Sequence, residues 1–138
     1  YMTNNTLDDS MTKKSLQDVN ILCVDDDSMM ASAIEVLLSS FSCKAKAVNS
    51  IEAAQKNLAQ SEKTPDIIIT DYHLNKGSTG LDLLARINSE ASSRIPALVI
   101  TADRSDLIKK LVKLAGYQLI YKPLNPNSLV QIVKDLIK

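Results

Sequence analysis

The sequence carries no excess of charge of either sign. Its 16 Lys and Arg residues balance 16 Asp and Glu residues, for a pI near 6.8. That balance leaves no electrostatic footprint for nucleic acid or for an anionic membrane. No hydrophobic run approaches the roughly 20 residues of a membrane-spanning helix, and no secretion signal is visible, so the chain reads as soluble and cytoplasmic, with no membrane contact of its own. Cysteine is scarce, with only Cys23 and Cys43. Both lie in or beside apolar runs and read as small buried hydrophobes in a reducing compartment, a disulfide being the alternative. His73 is the only histidine and no cysteine accompanies it, which argues against an imidazole-ligated metal centre. Internal repeats and low-complexity tracts are also lacking.

What is present suits one globular domain: 138 residues, 45% hydrophobic and 23% charged. Residues 1–18 are rich in Thr, Asn, Asp and Ser without a sustained apolar period and read as a flexible tail or linker. Tyr1 stands where an initiator methionine would, consistent with a piece cut from something longer. From residue 19 to 138, strand-like and helix-like patterns alternate, which predicts βα units around a parallel sheet. The predicted strands are Ile21–Val24, Lys44–Val48, Ile67–Thr70, a run after Pro96 ending at Thr101, and Gln118–Tyr121. Ser28 offers an N-cap for a first helix carrying Ile34, Leu37, Leu38 and Phe41 on one stripe; Asp27 is the other candidate cap. Asn49 or Ser50 opens a second helix running through Leu58, and Leu81, Leu84 and Ile87 define a third. Ile108, Leu111, Val112 and Ala115 define a fourth, stopped by Gly116, and residues 127–137 form the last.

The chemistry lies where the strands stop. ILCV runs into Asp25 and Asp26, DIIIT into Asp71, ALVIT ends on Thr101, and LIY precedes Lys122. In a parallel sheet these residues gather at one edge, where such folds place ligand sites. Carboxylates crowded to about 4 Å repel by roughly 4 kcal/mol per pair at an effective dielectric of about 20, so the cluster calls for a cation, and Mg²⁺ is the natural hard divalent ion. Bland rivals exist at each position: a solvated strand-end acid, a β-branched strand residue, a surface lysine.

Taken together, VDDDS, IIITDYHL, VITAD and the Lys122-Pro123 dipeptide resemble the receiver domain of two-component response regulators, in order and at comparable spacing. The loop DYHLNKGSTG, with Asn75 where many receivers have proline, is most similar to receivers of hybrid sensor histidine kinases. The resemblance implies a flavodoxin-like (βα)5 fold with strand order 2-1-3-4-5 and a possible cis bond before Pro123. It implies a phosphoacceptor in a His-to-Asp relay, with Asp71 taking a phosphoryl group from a histidine kinase or a histidine phosphotransfer protein. Asp25, Asp26, Asp71 and the backbone carbonyl of His73 hold Mg²⁺ in that scheme, Asp25 mainly through water, while Thr101 and Lys122 meet phosphoryl oxygens. The His73 side chain then flanks the pocket mouth. The resemblance also allows a homodimer through the fourth helix, fifth strand and fifth helix. Many receivers carry an aromatic residue three places before the lysine; Leu119 stands there, with Tyr117 and Tyr121 as substitutes on the same strand face.

Two other function classes fit part of the pattern. Asp25-Asp26-Asp27-Ser28 is similar to the opening of haloacid-dehalogenase-type phosphatases, but the expected acidic cluster after the lysine is missing, with only Asp135 in a helix. A phosphorylation-independent interaction module is the other. No helix-turn-helix signal follows the last helix, which argues against direct DNA binding. The chain alone is not expected to turn over a substrate beyond its own phosphorylation and dephosphorylation.

Overall fold

The computed structural model describes residues 16–137. Five parallel strands form one sheet: β1 (Asn20–Val24), β2 (Lys44–Val48), β3 (Ile67–Asp71), β4 (Ala97–Thr101) and β5 (Gln118–Tyr121), in the order β2-β1-β3-β4-β5. The helices are α1 (Ser28–Ser39), α2 (Ile51–Gln60), α3 (Gly80–Glu90), α4 (Asp106–Leu114) and α5 (Pro126–Leu136). This is the flavodoxin-like arrangement that the sequence led us to expect. Strands covered on both faces need apolar side chains pointing both ways. Ile67, Ile68 and Ile69 in β3, and Leu98, Val99 and Ile100 in β4, are accordingly all buried. The edge strand β2 instead alternates, with Lys44 and Lys46 exposed and Ala45 and Ala47 packed inward.

Two cores result. On one face, Leu83, Leu84 and Ile87 of α3, Ile51 and Ala54 of α2, and Ile108 and Val112 of α4 meet Leu22, Ile68 and Val99. On the other, Ile34 and Leu38 of α1 and Leu129, Val130 and Val133 of α5 cover Ile21, Cys23, Ile69 and Ile100. Cys23 and Cys43 lie in that second core as free thiols. Burial, then the Glu35 charge and then Cys43, pushes the Cys23 thiol up to about 12, and burial pushes Cys43 up to about 11.

Several local expectations shift. The α1 cap is Asp27 rather than Ser28, its carboxylate accepting from the backbone N–H groups of Met29 at 3.0 Å and Met30 at 3.3 Å. Ser50 rather than Asn49 caps α2, which runs on to Gln60. α5 starts at Pro126, suited to a first helical turn, with Asn125 as its cap. In α4 the buried stripe is only Ile108 and Val112; Leu111 is 39% exposed. The expected tail falls mostly outside the described residues, since 1–15 are not among them. Its last residues are anchored: Leu16 is fully buried, and the Asp18 N–H donates to the Ser42 carbonyl at 2.9 Å. Ordered structure therefore begins before residue 19.

The start of α3 presses against the end of β3. Thr79 and Asp82 form a reciprocal capping box. The following Gly80 donates its N–H to the Tyr72 carbonyl at 2.7 Å, and a Cβ at Gly80 would lie 2.5 Å from the Asp71 carbonyl oxygen. Gly80→Ala should therefore cost about 1–3 kcal/mol of stability, the usual scale of overpacking. Urea unfolding of the two proteins measures it; unchanged stability would mean that α3 can slide without cost.

Candidate functional site

Four chain segments converge at the C-terminal edge of the sheet, between β1 and β3 where the strand order reverses. Asp25 follows β1 and is 3% exposed; its backbone N–H donates to the Val48 carbonyl, extending the ladder by one residue. One of its carboxylate oxygens accepts from the Asp27 N–H at 2.9 Å, so the other faces the site. Asp26, next in the chain, is exposed. Asp71 ends β3. Carboxylate oxygens of Asp25, Asp26 and Asp71 all lie within 4.8 Å of one another.

A single ammonium meets them. Lys122 Nζ donates to Asp25 Oδ2 at 3.2 Å and to Asp71 Oδ2 at 3.3 Å. It arrives from beyond β5: the Lys122 N–H bonds the Thr101 carbonyl at 2.9 Å, and the Lys122–Pro123 peptide is cis. The long side chain then spans back toward β1 and β3. Burial holds the Asp71 carboxyl above its ordinary range, the Asp25 charge adds to this, Lys122 pulls the other way, and Asp26 raises it further. Burial alone would lower the Lys122 pKa, but Asp71 and Asp25 together outweigh it and the ammonium is held more firmly than usual. One cation facing three carboxylates leaves two negative charges uncompensated. That oxygen-only donor set suits a hard divalent ion. The backbone carbonyl of His73, two residues after Asp71, accepts no hydrogen bond among the described residues.

Thr101 reaches the same edge, and its side chain makes no hydrogen bond to the three carboxylates among the described residues. It is fully buried, and its Oγ1 accepts from the Asp103 N–H at 3.0 Å. The His73 imidazole also stays apart: Nε2 meets Asp103 Oδ2 at 3.1 Å, joining the loop after β3 to the loop after β4 across the mouth. Asp103 is missed by sequence reasoning. It lies 30 positions from His73 and reaches it only because β3 and β4 pair. Of the two tyrosines near Leu119, Tyr121 is the one level with the site. It is in register with Thr101, and Arg104 stacks over its ring at 4.4 Å. Tyr117 is engaged elsewhere, accepting from Asn88 Nδ2 at 2.8 Å with Arg94 stacked at 4.2 Å.

Fold and site together define a class: flavodoxin-like α/β domains with a carboxylate cluster at the switch point of the sheet. Within that class the sequence matches the response regulator receiver domain family over residues 21–134, and the chain belongs to that family. Among solved structures it is similar to a putative response regulator from Chloroflexus aurantiacus, at 28% identity and a TM-score of 0.76, covering 88% of this chain and 98% of that one. A receiver domain protein from Clostridium thermocellum is similar at 22% identity and a TM-score of 0.73, covering 85% and 92%. The chemotaxis protein CheY4 of Vibrio cholerae shares the fold at 20% identity and a TM-score of 0.77, covering 86% and 98%. No curated protein matches the sequence. Among the described residues no helix is long and apolar enough to cross a membrane.

The elevated Asp71 pKa has a consequence for stability. The folded chain binds that proton more tightly than the unfolded chain, so ionising Asp71 opposes folding. The contribution is most favourable below the ordinary carboxylate pKa of about 3.9 and is lost as pH rises through the elevated folded value. Without divalent cation at neutral pH, Asp71→Asn should be more stable than the native sequence by on the order of 1 kcal/mol. The gap should close in acid. Denaturant titrations at both pH values test the sign; a less stable Asp71→Asn protein at neutral pH contradicts it.

Proposed function

We propose that this receiver domain is a Mg²⁺-dependent phosphoacceptor in a His-to-Asp relay, with Asp71 as the acceptor. The observation that carries the reading is the contact of Lys122 with Asp25 and Asp71 beside Asp26. An Asp71 carboxylate oxygen attacks the phosphorus of a phosphohistidine on a histidine kinase or histidine phosphotransfer protein. The P–N bond breaks as the new P–O bond forms, leaving an acyl phosphate and a neutral imidazole on the partner once a proton is placed. Asp25, Asp26, Asp71 and the His73 carbonyl would hold Mg²⁺, which would supply positive charge to offset the carboxylates and the incoming phosphoryl group.

The remaining work falls to this chain's own side chains. Lys122, already protonated and oriented by two carboxylates, transfers its attention from Asp71 to a phosphoryl oxygen. Thr101 donates its hydroxyl to another while its oxygen goes on accepting from the Asp103 N–H, and so links phosphorylation to the loop before α4. The His73–Asp103 pair narrows the mouth through which water would reach the acyl phosphate. Output through a turning aromatic at Leu119 is not available, and Tyr121 with Arg104 is the nearest substitute.

The chain acts in the cytoplasm, and we place it within a hybrid sensor histidine kinase. The support for that context is the sequence of the loop after Asp71, where Asn75 stands in place of the proline many receivers carry. No observation favours the phosphatase alternative.

Intact mass after incubation with acetyl phosphate tests the proposal. One phosphoryl adduct is expected that requires Mg²⁺ and is lost in Asp71→Asn. Lys122→Ala should slow its formation by roughly 10²-fold, the scale for removing one preorganised charge contact. An adduct persisting in Asp71→Asn would overturn the acceptor assignment.

A further inference from the structure

Three polar or charged residues are buried among those described: Asp25, Thr70 and Thr101. The proposed chemistry uses Asp25 and Thr101 and leaves Thr70 without a task. Thr70 directly precedes the acceptor and is fully buried. By strand alternation it stands on the face of β3 where Ile68 and Tyr72 pack with Leu83 and Leu84 of α3. Valine would suit that apolar place as well as threonine does. A buried hydroxyl needs a partner, and this one donates from Oγ1 to the Asp71 carbonyl oxygen at 3.0 Å.

That carbonyl lies just past the regular sheet. The register of β1 with β3 ends at Val24 and Thr70, one residue short of Asp71, and among the described residues no backbone N–H outside the strand ladders donates to the Asp71 oxygen. α3 closes over it: a Cβ on Gly80 would lie 2.5 Å from the Asp71 carbonyl oxygen and 3.2 Å from Thr70 Oγ1. The other end of the same peptide is also tied, since the Tyr72 N–H donates to the Ile100 carbonyl at 2.8 Å. A trans peptide points its N–H and its C=O in opposite directions, so tying both ends fixes the rotation of the plane. Without the Thr70 hydroxyl the plane is held at one end, and a buried carbonyl loses its donor.

We propose that Thr70 is a positioning residue for the acceptor. Its hydroxyl sets the plane of the Asp71–Tyr72 peptide, and through that plane the placement of the Asp71 carboxylate on one side and of the His73 carbonyl on the other. Thr70 meets neither a phosphoryl group nor an ion and acts through its neighbour. The inference rests on the phosphoacceptor reading and adds to it a residue that the strand-end pattern does not single out. The competing account is a β-branched residue that fills space in β3 while its hydroxyl takes the nearest carbonyl. The two accounts rank a pair of substitutions in opposite order. Thr70→Val keeps the branched shape and removes the donor, whereas Thr70→Ser keeps the donor and leaves a methyl-sized void. Packing alone places valine above serine, and positioning places serine above valine.

The test compares the native full chain with both variants, circular dichroism melting first confirming that each is folded. Calorimetric titration with Mg²⁺, without phosphodonor, should give a dissociation constant about tenfold weaker for Thr70→Val, the lower end of the scale for removing a group that orients a metal ligand. Thr70→Ser should stay within about threefold of the native chain, well inside that scale. The rate of adduct formation from acetyl phosphate is then followed by intact mass, at Mg²⁺ concentrations that saturate each protein. Thr70→Val should be about tenfold slower, as expected for a slightly misplaced nucleophile, and Thr70→Ser should be near the native rate. Native behaviour of Thr70→Val in either measurement, or a Thr70→Ser protein as impaired as Thr70→Val, overturns the proposal. A native chain that binds Mg²⁺ and takes no phosphoryl group contradicts the phosphoacceptor reading instead, and the Mg²⁺ titration then decides by itself whether Thr70 places the His73 carbonyl.

Discussion

The ammonium of Lys122 lies between two carboxylates that come from opposite parts of the chain, 97 positions away at Asp25 and 51 at Asp71. Holding those three groups together is a demand on the whole fold. β1 and β3 must be neighbours, so that their terminal aspartates crowd. β5 must stand second from β3, separated from it by β4 alone, so that a lysine is long enough to reach back. The parallel sheet meets both demands at once, and it does so at the edge where the helix connections leave an open crevice.

The crowding is unfavourable in isolation, and the structure tolerates rather than abolishes it. Burial raises the Asp71 pKa and neighbouring carboxylates raise it further, while one lysine offsets only part of the charge. Rigid surroundings keep the cluster from relaxing apart. The isoleucines of β3 are packed on both faces, the Asp25 backbone is tied to Val48, and Gly80 lets α3 close directly over the Asp71 carbonyl. A site strained in this way is poised for whatever brings positive charge or removes a negative one, which is the physical content of a switch. The loop after Thr101 is tied on either side, Asp103 to His73 and Arg104 to Tyr121.

Much of this was legible in the sequence because strand ends announce themselves. Short continuous apolar runs that stop at Asp25, Asp71, Thr101 and Lys122 mark both the buried strands and the residues they present. Strand order was legible only through resemblance to receivers, since periodicity says nothing of which strand pairs with which. Contacts that depend on that pairing stayed hidden, as with Asp103 to His73 and Arg104 to Tyr121. Leu111 was misjudged for another reason: apolar residues three apart fit a buried stripe, and composition alone cannot show that α4 has a second apolar face turned outward. Leu16, isolated in polar sequence, gave no periodic signal that it anchors the chain in the core. Caps were ambiguous by one position because Asp27 and Ser28, like Asn49 and Ser50, are both competent acceptors.

The most direct test of the account is the effect of Mg²⁺ on thermal stability at constant ionic strength, compared between the native sequence and Asp71→Asn. If the three carboxylates form an under-neutralised divalent-ion site, Mg²⁺ at roughly one hundred times its dissociation constant should stabilise the native protein by about 2.7 kcal/mol. Asp71→Asn should respond far less. No stabilisation of the native protein, or an equal response in both, would contradict the claim that these residues act as one electrostatic unit.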